Sequence, residues 1–117
     1  MGRPSLYDAI RWWIATVAIV ETGYEGDGEE YAYDLHMRDY LEELRTRLPG
    51  FWAEYIDRCL QPWDERFRAA TVEEAEPYLP ALRGEPGWWQ FRTPRTWNPN
   101  LIDQMHAERR REGSGEE

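Results

Sequence analysis

The stretch DGEEYAYDLHMRDYLEELRTRL, Asp27–Leu48, decides the fold class. Tyr33, Met37, Tyr40, Leu41, Leu44 and Leu48 recur at the three- and four-residue spacing of one helical face. Asp27 stands where an N-cap is needed, and Glu30 follows three residues later, the spacing of a capping box. Glu29 and Glu30 fall in the first turn and Arg45 and Arg47 in the last, matching the sign of the helix dipole at each end.

Helical signals continue on both sides. Upstream, Ser5 is a second N-cap with Asp8 three residues on, and Leu6, Ile10, Trp13, Ile14 and Val17 share a face to about Glu21. The β-branched run Thr16–Val20 also allows a strand from Trp13 to Glu21, because such side chains lose freedom in a helix. Between the two segments, TGYEGDG (22–28) holds three glycines and reads as a loop. Downstream of Pro49-Gly50, Trp52, Tyr55, Ile56, Cys59 and Leu60 define a third helix, which Pro62 stops or restarts through Ala70. Thr71 and Glu74 resemble another capping pair, but Pro77 and Pro80 confine that helix to a short or broken piece before Arg83.

From Arg83 to Trp97 (RGEPGWWQFRTPRTW) the glycines and prolines exclude a helix, leaving an irregular segment attached by its Trp residues. Asn98 with Pro99 opens a last helix bearing Leu101, Ile102 and Met105. Residues 109–117 are a polar tail expected to fray. The expectation is an all-α fold, a helical bundle in one compact domain over 1–108, with four to five helices and an irregular Trp-rich segment. The alternative is α+β, with a small strand pair formed by Trp13–Glu21 and Gln90–Trp97.

Composition limits what the chain can do. Its net charge is −9, so nucleic acid is repelled and a basic partner surface attracted. The excess is local: Glu21–Glu76 carries sixteen acids against six Arg. All 14 basic residues are Arg, a habit of GC-rich genomes that suggests a bacterial or phage source. The single Cys59 suits a reducing compartment, and the apolar run Trp12–Val20 is far shorter than the about 20 residues of a membrane span. A cytoplasmic protein is the expectation.

Residues with chemistry do not assemble into a catalytic set. Only His36, His106 and Cys59 offer soft metal ligands, one fewer than a structural zinc site needs. Cys59 lies on an apolar stripe, where a buried, inert thiol is expected. No lysine exists for a Walker motif, and Gly23, Gly26 and Gly28 do not form a dinucleotide fingerprint. Neither an enzyme nor a cofactor or metal requirement is expected.

Two surfaces remain as contacts for a protein partner. One is acidic: Glu21, Glu25, Asp27, Glu29, Glu30 and Asp34. The other carries Trp88, Trp89, Arg92 and Arg95, residue types common at protein hot spots. The expected function is protein binding, as an inhibitor or neutraliser of the phage anti-defence or immunity type. It would occupy a basic, nucleic-acid-handling surface of its partner. The alternatives are an accessory subunit docking through the Trp/Arg segment and a small enzyme using an acid pair.

Overall fold

A computed structural model describes residues 4–79 and 84–97. Three helices run in succession: α1, Leu6–Thr22; α2, Gly28–Arg47; and α3, Gly50–Ala70. Short connections make neighbours antiparallel, so the α1–α2 loop, the start of α2 and the end of α3 share one end of the molecule. A two-stranded antiparallel sheet follows, β1 Thr71–Glu73 with β2 Arg92–Pro94, and a 3₁₀ turn Trp88–Phe91 precedes β2. The fold is thus mainly helical with a small strand pair.

Both N-caps form as the side-chain chemistry dictates. Ser5 Oγ accepts from Asp8 N at 3.1 Å, and Asp27 Oδ1 accepts from Glu30 N at 2.8 Å. Gly23 ends α1 with φ 117°, a conformation that side-chain-bearing residues rarely adopt, and its N–H caps the Ile19 carbonyl.

Several expectations are corrected. The described residues contain three α-helices, and the helix expected after Asn98 and the tail 109–117 lie outside them. Pro62 does not stop α3, which runs unbroken to Ala70. Pro62 is exposed, so the carbonyl it leaves without a donor faces water, while Ile56, Leu60, Asp64 and Phe67 anchor the opposite face. Thr71 caps no following helix. Its hydroxyl donates to the Phe67 carbonyl at 2.7 Å and accepts from Arg92 Nε at 2.7 Å, closing α3. The strand pair of the alternative reading exists with one partner changed. β2 lies within Gln90–Trp97, but it pairs with Thr71–Glu73, and Trp13–Glu21 is helical.

The α1 face is as expected, with Trp13 and Val17 in the core and Leu6 and Ile10 packed against it, but the α2 face is turned and part of the α3 stripe is exposed. On α2 the core side is Tyr31, Leu35, Met37, Arg38 and Leu41, with Tyr33 exposed. On α1 it is Ala9, Trp13, Thr16, Val17 and Val20. On α3, Trp52 and Tyr55 face solvent and Cys59 is half-buried. The core joins these helical residues to Tyr24 from the loop and Trp89 from the 3₁₀ turn. No helix of the described residues is long and apolar enough to cross a membrane.

Candidate functional site

The acidic loop divides into acids that hold the fold and acids that do not. Asp34 accepts from Trp12 Nε1 at 2.8 Å and from the Tyr24 hydroxyl at 2.5 Å, tying α1, the loop and α2 together. Asp27 is the cap of α2. Glu21 takes both Nε and Nη2 of Arg66, and this hydrogen bonding holds its carboxyl below the usual range. Glu25, Glu29 and Glu30 are exposed and form no ion pair among the described residues.

A second acidic run reaches the same end of the molecule. The Tyr78 hydroxyl donates to the Gly28 carbonyl at 3.1 Å, and Tyr78 N donates to the Gln90 carbonyl at 2.6 Å. These bonds bring the chain bearing Glu73, Glu74 and Glu76 to the start of α2. Below this surface the aromatic layer is closed: Tyr31 packs edge-on against Tyr24 and Tyr78 at centroid distances of 5.3 and 5.1 Å. Burial pushes the Tyr24 and Tyr31 phenols well above the ordinary tyrosine range, and Asp34 adds to the effect at Tyr24.

The Trp/Arg segment is largely engaged within the chain. Trp89 is buried, donates from Nε1 to Asp39 Oδ1 at 2.6 Å and lies under the Arg38 guanidinium at 4.3 Å. Trp88 is half-buried, with Arg68 stacked 3.8 Å from its ring centre. Arg92 Nη2 reaches the carbonyls of Arg68 and Thr71, each at 3.1 Å, and Arg95 Nε the carbonyl of Ala69 at 2.9 Å. Both arginines therefore serve the carbonyl-rich end of α3, where positive charge is favoured.

A buried ion pair is the feature that sequence reading missed. Arg38 of α2 donates from Nη2 and Nε to Asp64 of α3 at 2.8 and 3.2 Å, and Trp13 Nε1 of α1 donates to the same carboxylate at 2.8 Å. Arg38 is only 5% exposed and Asp64 9%. The sequence carries a signal for it. Arg38 falls in register with Tyr31, Leu35 and Leu41, and Asp64 with Ile56, Leu60 and Phe67, opposite charges interrupting two apolar faces. Arg38 Nη1 is buried without a hydrogen-bond partner.

Arg38 also lines a cleft of about 1070 Å³ between the second half of α2 and the segment Glu85–Gln90. His36 stands at its edge, Nδ1 3.6 Å from Asp39 Oδ2. His106 lies outside the described residues. Among the described residues no group of three or more His, Cys, Asp or Glu is placed to hold a metal ion. No family model, curated protein or solved structure matches this chain.

Proposed function

We propose that this protein works by binding a protein partner with a basic surface, through the acidic end formed by Glu25, Glu29 and Glu30 with Glu73 and Glu76. The observation that carries the reading is that these carboxylates are exposed and have no ion pairs among the described residues. The cations at the same end are already committed. Arg66 is held by Glu21, Arg68 lies on Trp88, and Arg92 and Arg95 serve the Arg68 and Ala69 carbonyls of α3. A surface with unneutralised charge steers oppositely charged partners and gains most when the match is close. A partner that handles nucleic acid presents such a basic surface, so inhibition or neutralisation by occupying it is the role this reading favours. Docking through Trp88, Trp89, Arg92 and Arg95 is less favoured, because those groups are engaged internally.

The test is affinity purification with wild-type protein and with the triple variant Glu25→Gln, Glu29→Gln, Glu30→Gln. Ionic strength is raised from about 0.1 M to about 1 M, which shortens the Debye length from about 10 Å to about 3 Å. A partner held by wild type should be lost in the triple variant and released by salt. Retention that ignores both changes would overturn the acidic-end reading.

A further inference from the structure

We infer that the cleft between α2 and Glu85–Gln90 is a second binding site, taking a short peptide segment that carries an Arg or Lys side chain. It rests on observations separate from the acidic end.

The first observation is the open donor. Arg38 is nine-tenths buried, and two of its three nitrogens are used by Asp64. Nη1 has no hydrogen bond, and Glu42 Oε2 stands 3.8 Å from it. A buried donor left unmade costs about 1–3 kcal/mol, so a ligand acceptor that reaches it is strongly favoured. A peptide carbonyl is such an acceptor, and it adds no negative charge to an already acidic cleft.

The second observation is the charge balance. Each arginine of the cleft has its own carboxylate: Arg38 with Asp64, Arg45 with Asp57 at 2.6 Å, Arg47 with Glu43 at 3.1 Å. Asp39, Glu42 and Glu85 remain. Asp39 is hydrogen-bonded by the neutral donors Trp89 Nε1 and Gln90 Nε2 and faces His36. Glu42 leans on Arg45 at 3.4 Å, and Glu85 is exposed, with no ion pair among the described residues. The surplus calls for a cation.

An acceptor and a cation in one ligand describe a basic residue in a peptide chain. At about 1070 Å³ the cleft lies just above the range of about 300–1,000 Å³ usual for small-ligand sites, which suits a segment of chain. The Glu42 carboxylate, on a side chain 40% exposed, stands 3.8 Å from Nη1. A ligand cation that draws this carboxylate outward leaves room beside Nη1 for the neighbouring carbonyl. Trp88 and Pro86, both half-buried, give the aliphatic stem an apolar wall.

The probe is the blocked tripeptide Ac-Gly-Arg-Gly-NH₂, titrated into the full chain while the Trp89 indole N–H and Gln90 amide signals are followed by NMR. Saturable shifts are expected, weakened about tenfold by Glu42→Gln with Glu85→Gln and unchanged by Gln at Glu25, Glu29 and Glu30. Ethylguanidinium, a cation without a carbonyl, should bind about tenfold more weakly, and Ac-Gly-Glu-Gly-NH₂ should leave the signals in place. No saturation by about 10 mM would overturn the inference, as would equal binding of the acidic peptide or of ethylguanidinium. Arg38 is kept throughout, since replacing it strands Asp64.

Discussion

Replacing Asp64 by Ala should be among the most damaging single changes this protein can suffer. The substitution removes the acceptor of Trp13 Nε1 and of Arg38 Nε and Nη2, at 2.8, 3.2 and 2.8 Å. Because Nη1 is already without a partner, the guanidinium keeps no hydrogen bond, and what remains is the Trp89 and Trp13 faces at 4.3 and 5.9 Å and Glu42 at 3.8 Å. Breaking a buried pair from one side costs about 3–5 kcal/mol, against a total stability of about 5–15 kcal/mol for a domain. With a urea m-value of about 1–3 kcal/mol/M, the unfolding midpoint should fall by roughly 2 M. Arg38→Met should cost a similar amount, leaving the Asp64 carboxylate with a single donor. The double variant Arg38→Met, Asp64→Leu removes both charges and fills the space. It should lose only the about 1–3 kcal/mol of an unmet Trp13 N–H. Urea unfolding followed by Trp fluorescence closes this cycle. Additive losses in the double variant, or an Asp64→Ala cost below about 1 kcal/mol, would refute the reasoning.

Gly87→Ala should destabilise by about 1–3 kcal/mol, because a Cβ there runs into the Trp89 ring, which is itself fixed by Asp39; the midpoint of thermal unfolding reads it. Ser5→Ala and Asp27→Ala should each cost about 1 kcal/mol by removing a cap, measurable as a lower urea midpoint with unchanged slope. Tyr24 and Tyr31 have folded-state pKa values raised above the unfolded value, mainly by burial, so the stability they contribute is intact below about pH 10. Above that pH the unfolded chain ionises first, and stability should fall by about 1.4 kcal/mol per pH unit for each phenol. Alkaline denaturation with tyrosinate absorbance checks this; phenols that ionise near their ordinary pKa in the folded chain would contradict it.

What was legible in the sequence was local. Ser5 and Asp27 announce their helices because a cap is a contact between residues three apart. The start of α3 is likewise marked by Pro49-Gly50. What was not legible depends on partners far along the chain. Pro62 reads as a stop, yet the packing of Leu60, Asp64 and Phe67 outweighs one missing backbone bond. β1 and β2 are three residues each, too short for any periodicity to reveal. The face of α2 is not legible, because Tyr33 shares the helical spacing of Met37 and Leu41 while Tyr31 and Arg38 fill the core. The acidic set looked uniform in sequence; only the structure separates Asp34, bound by Trp12 and Tyr24, from Glu25, Glu29 and Glu30.

The ion pair has a consequence for how the chain reaches its native state. Trp13, Arg38, Asp64 and Trp89 come from four different elements, so their mutual contacts close loops of about 25 residues or more. Until the last of these elements docks, a guanidinium and a carboxylate are drawn together beside a still-open aromatic wall. Partly assembled forms therefore gain little, and intermediates in which two helices pair alone should be sparsely populated. Coincident urea transitions by Trp fluorescence and far-UV circular dichroism are the expected signature of this coupling.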